Sequence, residues 1–77
     1  MTKEEREQYK DKKPIAVFPI GSYLGIEILD IQHGIDDRAI YKYSDSDKIF
    51  SAKIKYGKRD SFRTDNYTVF LDECLRV

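Results

Sequence analysis

The sequence predicts a small, mainly β domain: four or five short antiparallel strands forming an SH3-like, partly open barrel or a twisted meander, behind a charged N-terminal segment. Three observations carry that prediction. Apolar and polar residues alternate with a period of two, most plainly in KIFSAKIKY at residues 48–56. Clusters of turn-forming residues recur between the alternating runs. The chain has 77 residues, which suits one domain and is too short for two separately buried sheets. A flat sheet covered by an N-terminal helix is the alternative architecture.

Residues 1–13 divide from the rest by composition, leaving residues 14–77 as the β domain. TKEEREQYKDKK has helical propensity, and Thr2 and Glu5 have capping-box spacing. Tyr9 is its only large apolar residue, and an isolated helix this short is marginal in water. The reading is a frayed tail or marginal helix ending before Pro14; the alternative is a short helix docked through Tyr9.

IAVFPI at residues 15–20 is an apolar run whose Pro19 cannot donate to a ladder, so an edge strand or an extended lead-in is expected. YLGIEILDIQH at residues 23–33 is the clearest strand. Leu24, Ile26 and Ile28 lie on one face and Glu27, Leu29 and Ile31 on the other. Apolar residues on both faces mean either a bulge near Ile28 and Leu29 or a bent strand serving two layers. Gly34, Ile35, Asp36 and Asp37 then make a turn. RAIYKY at residues 38–43 alternates again, and Ser44, Asp45, Ser46 and Asp47 turn the chain once more.

In residues 48–56, Phe50, Ala52, Ile54 and Tyr56 are expected to face inward, with Ser51, Lys53 and Lys55 outward. Residues 57–60 are a third turn. SFRT and YTVFL flank Asp65 and Asn66, which suit a two-residue hairpin loop. Asp72, Glu73 and Cys74 suit a single helical turn before a short last strand at residues 75–77.

Composition limits function. Apolar residues are 40% of the chain and charged residues 36%, but the apolar ones sit in periodic runs, which argues for folding over disorder. Neither a signal-peptide pattern nor a membrane-spanning run is present, so a cytoplasmic location and no membrane partner are expected. Cys74 is the single cysteine and is expected to be core filler rather than a reactive thiol.

Nothing in the sequence assembles a catalytic or metal site. His33 near Asp36 and Asp37 falls short of a ligand set. Asp45 and Asp47 resemble the start of a calcium loop, but the glycine and glutamate that complete one are missing. No nucleophile elbow or phosphate-cradling glycine pattern occurs. The expectation is a non-enzymatic protein with no cofactor.

Two binding readings remain. The formal net charge is zero, which argues against a generic polyanion binder. Yet residues 48–63 hold Lys48, Lys53, Lys55, Lys58, Arg59 and Arg63 against Asp60 alone. Of these, Lys53, Lys55, Lys58, Arg59 and Arg63 are the candidate nucleic-acid or polyanion patch; the plain alternative is a solvated face that discourages edge-to-edge aggregation, with Glu27 neutralising lysines across strands. The competing reading is a protein-interaction adaptor. Six Tyr and four Phe are many for this length, and Tyr23, Tyr41, Tyr43, Phe62 and Phe70 are its candidate contact aromatics, if they are not core.

The segments GIEILDIQHGIDDRAIYKY and YTVFLDECLRV resemble parts of small uncharacterised accessory proteins carried on conjugative transposons and phages of Gram-positive bacteria. The resemblance spans roughly residues 20–77, and its specific pieces are Gly34, Ile35, Asp36 and Asp37 together with Leu71, Asp72 and Glu73. It implies a role in mobile-element maintenance, transfer or host interaction, and it implies no catalytic residue.

Overall fold

The computed structural model describes residues 2–22 and 24–77. Along the chain run α1 (Lys3–Tyr9), β1 (Ala16–Pro19), β2 (Gly25–Gln32), β3 (Arg38–Tyr43), β4 (Phe50–Lys53), β5 (Ser61–Arg63), β6 (Thr68–Phe70), a 3-10 turn (Leu71–Glu73) and β7 (Leu75–Arg76). Five strands form one antiparallel sheet in the order β4-β3-β2-β1-β7, and β5 pairs with β6 as a separate hairpin. α1 packs on one face of the large sheet and the hairpin on the other. Among the described residues no sheet closes on itself.

β2 supplies side chains to both faces: alternation sends Leu29 opposite to Ile26 and Ile28, and a bulge returns Ile31 to their face. Ile26 and Ile28 lie opposite Tyr43 and Tyr41. The register then shifts between Ile28 and Asp30, leaving Leu29 as the extra residue, and Ile31 pairs with Ala39. Ile26, Ile28 and Ile31 therefore share the main core with Ala39, Tyr41, Ile54, Phe62 and Val69. Leu29 turns the other way and joins Tyr9, Ile40 and Ile49 in a second, smaller core. Of the two explanations for an apolar residue on each face, the bulge is the one observed.

The second core corrects the expectation of a frayed tail. Thr2 caps α1, its hydroxyl accepting from the Glu5 amide at 3.2 Å. Tyr9 is 7% exposed. Its hydroxyl donates to Asp30 Oδ2 at 3.2 Å and accepts from Gln32 Nε2 at 3.0 Å. Lys12 lies over the same ring and pairs with Asp30 at 3.7 Å. A seven-residue helix does not persist by propensity; packing of one aromatic side chain holds it.

β1 also differs from expectation, since it lies between β2 and β7 and not at an edge. Pro19 is tolerated because β7 pairs only with Ala16 and Val17. The Ile20 amide bonds the Leu24 carbonyl on the β2 side, so one residue earlier the backbone nitrogen points the opposite way, past the end of β7. Its missing N–H therefore costs no ladder bond. On the far side of β1, a Cβ at Gly25 would stand 3.0 Å from the Phe18 carbonyl oxygen, which explains the glycine. The Ser44 hydroxyl fastens that position, accepting from the Gly25 amide at 2.8 Å and donating to its carbonyl at 3.0 Å.

The inward set of residues 48–56 holds for Ile54, at 3% exposed, and fails for Tyr56, at 59%. The strand ends at Lys53, so the alternation does not run on to Tyr56. Asp65 and Asn66 do form the predicted loop: the Thr64 amide bonds the Tyr67 carbonyl at 2.8 Å, and the buried Thr64 hydroxyl accepts from the Tyr67 amide at 3.0 Å.

Two stability predictions follow from these cores. Ile54→Asp unfolds the domain by placing a charge in the main core, whereas Lys55→Asp costs less than about 1 kcal/mol; equal losses in urea melts would refute the face assignment. Tyr9→Ala costs roughly 2–4 kcal/mol by opening the second core, and Tyr9→Phe about 1 kcal/mol. A truncation of residues 2–12 that left the urea midpoint unchanged would show that α1 does not dock.

Candidate binding site

β4 and β5 begin a ladder and do not complete it. The Lys55 amide bonds the Ser61 carbonyl at 2.6 Å, and the Ser61 amide bonds the Lys55 carbonyl at 3.0 Å. In an antiparallel ladder the next reciprocal pair lies two residues along each strand, which here is Lys53 with Arg63. That pair is not formed.

The peptide groups of those two residues point into the gap. The Ile54 amide bonds Asp37 on β3's side, so the Lys53 N–H and C=O point away from β3. The Leu71 amide bonds Asp60 and the Thr64 amide bonds Tyr67, so the Arg63 peptide groups point away from β6. Two strand edges thus face one another across a groove of about 420 Å³ lined by Lys53, Lys55, Ser61, Phe62, Arg63 and Thr68. No carboxylate is in that lining.

The candidate basic patch is only partly brought together. Lys53, Lys55 and Arg63 line the groove, and all three are exposed. Lys53 pairs with Asp36 at 3.4 Å, both side chains being more than half exposed. Lys55 and Arg63 have no carboxylate partner among the described residues. Lys58 is exposed on the following turn and does not line the groove. Arg59 is committed elsewhere. It grips Asp72 through Nε at 3.0 Å and Nη2 at 2.8 Å, reaches Glu73 at 3.1 Å, and lies 3.9 Å over the Phe70 ring. The guanidinium holds the Asp72 carboxyl below its ordinary range. Glu27 neutralises Lys42 instead of a lysine of the basic segment.

The candidate contact aromatics fare differently. Phe62, at 1% exposed, and Tyr41, at 5%, are core residues and not contact residues. A β domain this small fills its interior with large rings: Tyr41 stacks on Phe50 at 5.4 Å and leans on Phe62 at 5.2 Å. Burial pushes the Tyr41 hydroxyl up to about 12. Tyr43 is half-buried and its enclosed hydroxyl has no partner. Phe70 is covered by Arg59. Tyr23 lies outside the described residues.

His33 and Cys74 fall outside the groove. The His33 ring lies 3.3 Å from Asp37, which also accepts a hydrogen bond from Tyr56. That bond ties the β2–β3 bend to the start of the β4–β5 connection. Periodicity gave no sign of it, because alternation turned Tyr56 inward and Asp37 belongs to the bend before β3. Cys74 packs at the rim of the main core; burial pushes its thiol up, and Sγ lies 3.5 Å from the Phe70 carbonyl. Among the described residues no three His, Cys, Asp or Glu side chains converge as a metal site, and no helix is long and apolar enough to cross a membrane.

No protein-family model, curated protein or solved structure matches the chain.

The Tyr56 bond to Asp37 has a pH signature. That hydrogen bond is the main cause holding the Asp37 carboxyl below its ordinary 3.8 and the chief cause raising Tyr56 above 10.0. Asp37's share of stability is complete above 3.8 and disappears as pH falls through its lowered folded value. Tyr56's share is complete below 10.0 and disappears as pH rises through its raised one. In a carboxyl-detected NMR titration, Tyr56→Phe should move the Asp37 midpoint upward. An unmoved midpoint would show that the bond is absent in solution.

Proposed function

We propose that this protein is a non-enzymatic interaction module that takes an extended segment of a protein partner onto the free edge of β4. The observation that carries this reading is the unformed pair of Lys53 with Arg63, directly beside the formed pair of Lys55 with Ser61. An unpaired strand edge presents alternating N–H donors and C=O acceptors, which is what an added strand needs. Each bond so formed contributes about 1 kcal/mol net, so the backbone supplies modest affinity and side chains must supply selectivity. The other sheet edge is a poorer receiver, because β7 is only two residues long.

The strand order β4-β3-β2-β1-β7 and the 3-10 turn just before the last strand support reading the fold as an open SH3-like barrel. The gap between β4 and β5 is then where such a barrel would have to close. The resemblance of residues 20–77 to accessory proteins of conjugative transposons and phages supports a place for this binding in mobile-element maintenance, transfer or host interaction, in the cytoplasm.

A second reading, nucleic-acid binding through the same groove, is favoured by its cationic lining. Two points weigh against it. A phosphate backbone only accepts hydrogen bonds, so it would leave the C=O groups of both edges unmatched. The groove's one aromatic, Phe62, is enclosed and cannot stack on a base.

Selection from a displayed random-peptide library, followed by amide exchange on the complex, tests the proposal. Bound peptides should slow exchange at Lys53 and Arg63. Lys53→Pro, which removes an N–H that β3 does not use, should weaken binding while the protein stays folded. Protection elsewhere would overturn the proposal. So would a salt-dependent gel shift with DNA or RNA that Lys53→Glu with Lys55→Glu abolishes, where no peptide binds.

A further inference from the structure

The main core stays open at the β1–β7 end of the sheet. Ala16 pairs with Ile28 on one side and with Arg76 on the other, so these three residues stand in a row across three strands. Partners in such a row point to the same side of the sheet. Ala16 and Ile28 show which side, because both pack in the main core. Ala16 contributes only a methyl group, so the row dips between Arg76 and Ile28. Leu71 and Cys74, from the 3-10 turn and the residue after it, stand beside that dip, and Ile15 and Ile31 complete its lining. The hollow measures about 390 Å³, near the small end of ligand sites, which span roughly 300–1,000 Å³. Phe62 and Val69, which cover the middle of the sheet, are not part of it.

We infer that this hollow binds a medium-chain aliphatic carboxylate, with the acid at Arg76 and the chain laid over Ala16 toward Ile28. Arg76 is exposed and has no carboxylate partner among the described residues. The acids nearest in sequence, Asp72 and Glu73, are both held by Arg59. No carboxylate lines the hollow, so nothing in it repels an anion. Ala16, Ile31, Leu71 and Cys74 are each only half-buried, which leaves apolar surface in water for an alkyl chain to cover.

The row also sets a length. Arg76 and Ile28 lie two strand spacings apart, about 10 Å, which is roughly the span of an extended eight-carbon chain. Ile28 is 2% exposed and closes the far end, so a longer tail has to leave the hollow. A peptide is a poorer occupant. Apart from Arg76, the lining side chains are apolar or carry only a thiol, so a peptide's amides would lose water without finding partners.

The site shares no residue with the β4–β5 groove and does not depend on strand addition there. The hollow beside α1 is less informative. Its Lys3, Arg6, Lys10 and Lys48 are offset by Glu7 and Asp47, so its charge is largely cancelled internally.

Amide and methyl NMR titrations of the whole chain with hexanoate, octanoate, decanoate and dodecanoate, each below its micelle concentration, test the inference. Octanoate should give saturable shifts at Ala16, Ile31, Leu71 and Cys74. Affinity should rise up to about fourfold per methylene from hexanoate to octanoate and level off at decanoate. Arg76→Gln, an exposed change that keeps the fold, should weaken octanoate about three- to fivefold and leave octanol unchanged. Bound octanoate should also slow alkylation of the Cys74 thiol.

Shifts centred on Lys53, Lys55 and Arg63 would show that the acid goes to the groove and would overturn the inference, as would no saturable shift with any acid. Equal losses for octanol and octanoate in Arg76→Gln would remove the carboxylate contact. Affinity that climbs steadily through dodecanoate would mean adsorption without a closed end. Tighter binding of a short peptide ending in a free leucine carboxylate than of octanoate would assign the hollow to a protein C-terminus instead.

Discussion

The extra residue in β2 is the constraint on which the rest of this structure depends. A strand of perfect alternation gives all its apolar side chains of one parity to one face. Leu29, on the opposite face from Ile26 and Ile28, serves the second core, and the extra residue there shifts the parity so that Ile31 rejoins Ile26 and Ile28 in the main one. The sheet has two apolar faces, each needing a cover. α1 covers one through Tyr9, and the β5–β6 hairpin covers the other through Phe62 and Val69. In a chain of 77 residues, which can bury only roughly 60% of its unfolded surface, this division lets one sheet serve two small interiors.

The second cover has a cost in sheet closure. Phe62 and Val69 pack against Ile26, Ile28 and Tyr41, so the hairpin follows the core rather than the β4 edge. The β4–β5 ladder therefore stops after Lys55 with Ser61. The basic segment straddles this point of divergence, and its cations take different roles. Arg59 is fixed by Asp72 and Glu73, Lys53 is held loosely by Asp36, and Lys55 and Arg63 are without carboxylate partners among the described residues. A zero net charge thus coexists with a locally cationic groove.

Much of the β architecture was legible from two-residue periodicity and turn chemistry. The hairpin at Asp65 and Asn66 and the inward face of Ile54 came from local pattern, while the bulge near Leu29 was one of two readings that the pattern left open. What was illegible depended on contacts distant in sequence. Tyr9 is a lone ring on a polar helix until Leu29, Ile40 and Ile49 meet beneath it. Pro19 argues for an edge strand unless the length of β7 is known. Whether a Phe or Tyr is core or contact surface depends on which layer covers it, and alternation on short strands does not say. The five cations could be found in the sequence, but which of them stay free could not, because Asp36, Asp72 and Glu73 reach them only through the fold.

Pro19 also bears on how copies of this molecule meet. An open sheet with two equivalent ends can in principle grow by stacking the front of one copy on the back of the next. Here the back end presents a two-residue strand and then an imino nitrogen with no hydrogen to give. Front-to-front joining through β4 would set the Lys53 and Lys55 ammonium groups of one copy against those of the other, a repulsive match. One end is stopped by geometry and the other turns away its own kind, so the sheet can leave an edge exposed without seeding a fibre.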